Sequence, residues 1–301
     1  MIWTTKWPRR GQLTCREVAN EMSADTEAAR TAQAVDEIEI DSGGSVGRSV
    51  QTVERALSIL KCFSNQQPEL TAAEIGSRLR LSRPTTYRLL STMQRLGFIQ
   101  REEGTQRYCP GLELVTLSNI ALNRMNLRRQ AIPELHKALS RLRLGGGLGI
   151  LQQSDVFILE QRPHPAFVST YSQVGWRSPA YAMAMGKVLL AGLPRLTAEA
   201  LLRRVSLQSF TQYTKTRVAE IMQDLDLARE RGYGLNDQEL NLHWRSVAAP
   251  IRDHTGRVVA AFSLTAPESE MLPDKIAEYA RQVIDTADRA SRKLGYLTAH
   301  L

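Results

Sequence analysis

The sequence predicts an α+β chain of two folded domains: a small helical one closed by a β-hairpin, then a larger one built on a central antiparallel sheet. Three observations predict it. Helical periodicity begins abruptly at Val50 and gives way to a hairpin pattern ending near Pro110. Strand-like and helical stretches are interspersed from Gly145 onward. Positive charge, finally, is concentrated in the first of these regions. At 301 residues the chain is long enough for two separate cores, and its 43% hydrophobic and 23% charged residues are a globular composition.

Residues 1–47 carry no sustained hydrophobic period and end in Asp41-Ser42-Gly43-Gly44-Ser45, so they read as a disordered tail. Lys6, Arg9 and Arg10 precede no apolar stretch, which argues against a secretory signal. No apolar run approaches the roughly 20 residues that cross a bilayer. A cytoplasmic protein with no membrane partner is expected.

From Val50, the residues Val53, Ala56, Leu57, Leu60 and Phe63 recur at helical spacing. Thr71 and Glu74 have capping-box spacing and open a short helix through Arg80. Leu81 and Ser82 form a turn, with Ser82 as N-cap and Pro84 in the first turn, where its missing N–H costs nothing. The next helix runs to about Leu96 with Tyr87, Leu90 and Met93 as its buried stripe, and Gly97 stops it. Phe98–Arg101 and Gln106–Tyr108 are strands around a Glu102–Thr105 turn. Helix, helix, turn, helix, hairpin is the order of a winged helix-turn-helix, placed at 48–110. Residues 111–130 are expected to be a linker helix, whose Leu112, Leu114, Val115 and Leu117 make either a dimer seam or the buried side of a core helix. The second domain occupies 131–301. Strands are predicted at 149–151, 156–159, 167–171, 247–251 and 258–264, and helices at 182–193, 197–205, 217–231 and 274–294.

Divided along the chain, Lys and Arg number ten against five Asp and Glu in 48–110, and six against two in 111–145. The remainder from 146 is nearly balanced, eighteen against sixteen, and the tail is acidic. A solvated basic surface and a phosphate-binding face both produce such a bias. The helix opening at Ser82 favours the second, because residues near the start of the second helix of a helix-turn-helix reach base edges in the major groove. Arg83 and Arg88 can fork onto guanine, and Thr85 and Thr86 can meet phosphate or a thymine methyl. A solvated helix charge is the alternative for Arg88. Arg101 and Arg107 flank the wing turn and either enter the minor groove or belong to a plain exposed hairpin. Arg78 is a further phosphate candidate. Tyr87 is assigned to the core.

Catalysis finds no support. Gly145–Gly149 lacks the spacing of a dinucleotide-binding loop, and Gly186-Lys187 is followed by Val188 where a P-loop has Ser or Thr. No G-x-S-x-G is present. Cys15, Cys62 and Cys109 are too widely spaced for a zinc motif, and the five histidines are scattered, so neither metal nor cofactor is expected. An architectural DNA-binding protein without a ligand stays open at this point.

The chain resembles the IclR-type bacterial transcription factors. The resemblance rests on Val53-Glu54-Arg55-Ala56-Leu57-Ser58-Ile59-Leu60, Thr85-Thr86-Tyr87-Arg88-Leu89-Leu90 and Leu96-Gly97-Phe98-Ile99. Further along it rests on Pro179, Gly186-Lys187-Val188-Leu189-Leu190-Ala191, Arg231-Gly232-Tyr233 and Ala248-Ala249-Pro250-Ile251-Arg252-Asp253. It implies a GAF-like effector-binding domain after the winged helix. It also implies a homodimer or homotetramer on a palindromic operator, a small organic acid as effector, and RNA polymerase as a further partner. Ser178–Gly186 and Leu235–Leu240 are similar to the branch that regulates protocatechuate, 4-hydroxybenzoate and β-ketoadipate catabolism, which implies an aromatic-acid regulator. A regulator of another carbon source with a non-aromatic effector is the alternative. The resemblance places the effector at Phe167, Thr170, Ser178, Ala184, Met185, Asn236, Ser246, Ser263 and Thr265. Hydroxyl and amide donors in an apolar surround suit a small carboxylate. Ser263 alternatively bonds within its own sheet. Arg245 is added as a bidentate carboxylate partner, with a structural salt bridge as the preferred alternative. One departure stands out: His243-Trp244 replaces the family's usual glycine and small apolar residue, as an aromatic wall or with His243 facing solvent.

Overall fold

The structure is a computed structural model, and it describes residues 50–64, 67–102, 104–165 and 174–297. The predicted tail at 1–47 and the predicted strand at 167–171 lie outside these. The chain divides into two compact units between Ala121 and Leu122.

In the first unit, α1 (Gln51–Lys61), α2 (Ala72–Arg78) and α3 (Arg83–Arg95) are followed by a hairpin of β2 (Ile99–Arg101) and β3 (Arg107–Pro110). The capping box at the start of α2 is complete. Thr71 N–H donates to the Glu74 carboxylate at 2.6 Å, and Glu74 N–H donates to Thr71 Oγ1 at 3.2 Å. The Glu74 carboxyl is accordingly held below the usual carboxylate range, first by the Thr71 backbone N–H. A two-residue strand, β1 (Leu70–Thr71), adds to the hairpin in the order β1-β3-β2, a pairing too short to show in the sequence. The core joins Ile59 of α1, Ile75 of α2, Leu90 and Met93 of α3, and Leu70, Ile99 and Tyr108 of the sheet. Ile59 of α1 and Cys62 just after it are buried, and Val53 and Leu57 of the apolar helical pattern are 53% and 56% exposed. Gly97 stops α3's continuation at φ +77°, a conformation that favours glycine.

The predicted linker is two helices. In α4 (Leu112–Arg124) no residue is buried, so within the chain its apolar stripe is not a core stripe. In α5 (Asn126–Leu142), Ala131, Leu135, Ala138 and Leu139 are buried, and the helix belongs to the second unit from its start.

The second unit is a six-stranded antiparallel sheet between two helical layers. Its strands are β4 (Gly145–Gln152), β5 (Asp155–Arg162), β6 (Arg177–Pro179), β7 (Gly234–Asp237), β8 (Trp244–Arg252) and β9 (Val258–Pro267), in the order β6-β5-β4-β9-β8-β7. Alternation along the strands fixes the layers. Leu148, Leu159, Val247, Ala249, Phe262 and Leu264 pack on α5 and on α9 (Ile276–Lys293). Val156, Ile158, Ala248 and Ala261 pack on the other side, under α6 (Ala184–Ala191), α7 (Arg195–Arg203) and α8 (Val218–Arg231). Glu134 ties α5 to α9 through Arg289 at 3.0 Å and Lys293 at 2.6 Å.

Candidate DNA-binding face and ligand site

α3 has two unlike sides. Thr86, Leu89, Leu90 and Met93 are buried at i, i+3, i+4 and i+7. The opposite side exposes Ser82, Arg83, Pro84, Tyr87, Arg88, Ser91 and Arg95, with Thr85 half-buried beside Ser82, their hydroxyls 2.9 Å apart. Arg83 carries its guanidinium 5.8 Å from the Tyr87 ring centre. Among the described residues, no carboxylate pairs with Arg83, Arg88 or Arg95.

Two assignments on α3 are corrected. Thr86 is 1% exposed, its hydroxyl donates to the Ser82 carbonyl at 3.1 Å, and it packs where Gly76 has no side chain, so it cannot meet DNA. Tyr87 is 43% exposed and belongs to the surface. Ser91 and Arg95, which the sequence reading missed, share the exposed side because they fall one turn and two turns beyond Arg88. Arg78 is exposed, yet its guanidinium donates to the Cys62 carbonyl at 2.9 Å and to the Gln67 side chain, which makes it a brace between the end of α1 and α2. On the wing, Arg101 bonds Gln106, and Arg107 reaches the Glu69 carbonyl at 3.4 Å with Glu74 3.9 Å away.

The residues that the resemblance assigns to an effector fall largely on the α6 side of the large sheet, where register lines up two rows. One row is Gly147, Ser263, Ala248 and Gly234; the next is Gly145, Thr265, Ser246 and Asn236. The first turn of α6 covers one end of these rows, since a Cβ on Gly149 would lie 3.3 Å from Met185 Sδ and one on Gly234 2.5 Å from the Ala184 carbonyl. At the other end His164 crosses Gly145, and its ring meets Trp244 edge-on with centres 6.0 Å apart. His164 is buried and pairs with Glu270 at 3.1 Å. His164 was missed because only the fold brings it over Gly145.

Ala184, Met185, Asn236, Ser246, Ser263 and Thr265 are therefore gathered. Two others, Ser178 and Arg245, are not. Phe167 and Thr170 lie outside the described residues. Ser178 faces the same side but pairs with Val156, which pairs with Leu151, three same-face steps or about 20 Å along β4 from Gly145. Arg245 alternates with Trp244 and Ser246 and so points to the opposite face. There it bonds Asp237 at 2.7 Å and the Met271 carbonyl at 3.1 Å, a structural pair. Ser263 Oγ accepts the Gly147 N–H at 3.2 Å and Asn236 Oδ1 accepts the Glu239 N–H at 2.8 Å, so both also serve the sheet. His243 faces solvent at φ +63°, in the left-handed region where glycine is favoured, which is the physical sense of the family's glycine there.

A separate cleft of about 260 Å³ lies at the β7 edge, lined by Tyr213, Lys215, Arg231 and a buried charge cluster. Lys187 is 2% exposed, and its Nζ donates to Asp224 at 2.7 Å, to Glu239 at 2.5 Å and to the Leu235 carbonyl at 2.9 Å. Burial pushes the Glu239 carboxyl up; Asp224, although burial opposes it, is held down by Lys187 and Lys215. None of the predicted effector residues lines this cleft.

Residues 52–103 match the IclR helix-turn-helix domain and residues 119–292 the C-terminal domain of the bacterial transcriptional regulator IclR. The chain belongs to the IclR family. It is a DNA-binding transcriptional regulator. It is 33% identical to the HTH-type transcriptional regulator XynR of Escherichia coli over 247 residues, 82% of this chain and 98% of that one. It is 31% identical to the glycerol operon regulatory protein of Streptomyces griseus over 252 residues, 83% and 98% of the two chains. Among solved structures it is similar to an IclR homologue from Microbacterium hydrocarbonoxydans complexed with 4-hydroxybenzoate. That match has 25% identity and a TM-score of 0.69, and covers 81% of this chain and 98% of that one. These IclR-family relatives are regulators, which removes the enzyme reading. No described helix is long and apolar enough to cross a membrane.

Proposed function

We propose that this regulator reads a palindromic operator with the exposed side of α3 and answers to a small organic acid bound on the α6 side of its large sheet. The observation that carries the reading is the separation of chemistry between the units. The first unit presents, on the outward side of a helix-turn-helix, arginines that have no carboxylate partner among the described residues. The second gathers hydroxyl and amide groups beside the start of α6, over a floor of glycine and alanine. In the first, Arg83 and Arg88 take bases or phosphates, Ser82 and Thr85 take phosphate, and Arg101 and Arg107 follow the backbone from the wing. In the second, Ser246, Ser263, Thr265 and Asn236 hold the acid, and Met185 supplies an apolar wall.

The working form is a homodimer or homotetramer. Val50 just before α1, Val53 and Leu57 of α1 and Leu112, Val115 and Ile120 of α4 are each more than half exposed in the single chain, an apolar surface suited to a second copy. The acid then biases which arrangement of the paired DNA-binding units is populated; a coupling of about 1–3 kcal/mol suffices.

An aromatic acid is the first reading of the effector, supported by the Ser178–Gly186 and Leu235–Leu240 resemblance and by the relative complexed with 4-hydroxybenzoate. A non-aromatic effector is the second, favoured by the higher identity to a glycerol operon regulator. Fluorescence anisotropy separates them, using DNA from upstream of the gene against a scrambled duplex at several salt concentrations. The acids to add are 4-hydroxybenzoate, protocatechuate, β-ketoadipate and glycerate. Sequence-dependent binding shifted by one acid is expected. Binding that is specific but indifferent to every acid would overturn the effector assignment.

A further inference from the structure

The residues assigned to the ligand site so far share one weakness as discriminators. Asn236 Oδ1 already accepts within the bend after β7 and Ser263 Oγ within the sheet, and Ser246 and Thr265 are hydroxyls that accept or donate to almost any polar ligand. A group able to select must be placed over the site with its hydrogen-bonding capacity intact. Gln161 meets that description, and nothing in its own stretch of sequence announces it.

Gln161 lies near the end of β5 and is paired in register with Gly147, which on its other side is paired with Ser263. Residues directly opposite in an antiparallel pair share a face, so the Gln161 side chain stands on the ligand side. It lies back across Gly147: a Cβ on Gly147 would fall 2.6 Å from Gln161 Oε1 and 3.5 Å from its Cδ. The carboxamide is thus carried off its own strand toward Ser263, in the row next to Thr265 and Ser246. Gly147 makes this possible, since any other residue would occupy the space that the amide crosses. Among the described residues the carboxamide has no hydrogen-bond partner, and the residue is half-buried, so its donor and acceptor remain available on this face.

We propose that Gln161 is a specificity-determining residue of the effector site and that the effector is a hydroxylated carboxylic acid whose hydroxyl group meets the Gln161 carboxamide. Nε2 donates to the hydroxyl oxygen and Oε1 accepts its proton, a double role that a hydroxyl fulfils and a hydrogen in its place does not. This rests on the reading of the α6 side of the sheet as the effector site. Its consequence is a preference for 4-hydroxybenzoate over benzoate, or for glycerate over propionate, that resides in one side chain.

Isothermal titration of the full chain with these four acids tests it in the wild type, Gln161→Ala, Gln161→Met and Ser246→Ala. The wild type should favour the hydroxylated member of one pair by about tenfold, the size of one or two neutral hydrogen bonds. Gln161→Ala should bring that ratio close to one while the non-hydroxylated acid binds as before. Gln161→Met, which keeps the length of the side chain, should do the same and stands in if the alanine variant folds poorly. A preference that survives both changes, while Ser246→Ala weakens every acid, would overturn the role of Gln161 and leave the site in place. Binding unaffected by any of the three substitutions, or no binding of any acid to the wild type, would overturn the site and the proposal with it.

Discussion

The arginines on the outer side of α3 and the carboxylate-held cations of the second unit have the same chemistry and opposite circumstances. In the first unit Arg83, Arg88 and Arg95 project from the outer side of α3 with no carboxylate partner among the described residues. In the second, Arg128 pairs with Glu160 at 2.8 Å, Arg245 with Asp237 at 2.7 Å, Arg289 with Glu134 at 3.0 Å, and Lys187 is buried between two carboxylates. A cation without a partner on a convex helix suits a polyanion, where counterion release drives binding. A cation enclosed by carboxylates serves the fold, because burying it requires compensation. Net charge alone does not make this distinction.

The comparison is broken most severely at Lys187. Replacing it with alanine leaves Asp224 and Glu239 facing each other without the ammonium between them. The second unit should lose about 3–5 kcal/mol, seen as an earlier urea transition in Trp176 and Trp244 fluorescence; an unchanged midpoint would show that the cluster contributes nothing net. Next in size is a contrast within one helix. Arg88→Ala should weaken specific DNA binding by about 1–3 kcal/mol without altering stability. Thr86→Ala, two residues away, should lower the stability of the first unit by about 1–2 kcal/mol, through a lost buried hydrogen bond and methyl contact. Thermal unfolding and anisotropy of both variants separate the roles, and a stable Thr86→Ala protein with altered base preference would reverse them. The smallest effect concerns pH. The hydrogen bond from Lys293, with Arg289 adding to it against the opposing effect of burial, holds the Glu134 carboxyl below its usual range. Its folded pKa thus lies below its unfolded one, so its contribution is fully present above the ordinary carboxylate range and is lost as pH falls through the folded value. Glu134→Gln should flatten the acid limb of the stability curve, and an acid limb of unchanged slope would count against the Glu134 tie.

Much of the first unit was legible because its signals are local. The Thr71–Glu74 capping box, the Ser82 boundary and the Gly97 stop each operate within a few residues, and the structure shows all three. On α3, Leu90 and Met93 are buried as expected, and the error is confined to the first turn, where the buried position is one residue, about 100° around the helix, before Tyr87. Tyr87 was read as the apolar member of the stripe, whereas Thr86 fills the space over Gly76, a contact between helices that periodicity does not carry. In the second unit the strands at 149–151, 156–159, 247–251 and 258–264 all fall within observed ones, because buried β-branched and small residues mark them. What crosses the sheet was illegible. Gln161 reaches the α6 face only through its register with Gly147, and Lys187 finds Asp224 and Glu239 at separations of 37 and 52 residues. Of the residues that the family resemblance implies for an effector, the fold brings Ala184, Met185 and Asn236 to one part of the α6 face, whereas the register places Ser178 elsewhere on that face.

The central claim is that the arginines on the outer side of α3 read DNA and the carboxylate-held cations of the second unit build the fold. The most direct test is the salt dependence of operator binding by anisotropy, for the wild type, Arg88→Ala and Arg245→Ala side by side. The account predicts that Arg88→Ala loses affinity and reduces the salt slope by about 1 if the contact is to phosphate, or relaxes sequence preference if it is to a base. Arg245→Ala should keep the wild-type slope and affinity in its folded fraction. A wild-type curve from Arg88→Ala, or a shallower slope from Arg245→Ala, would contradict it.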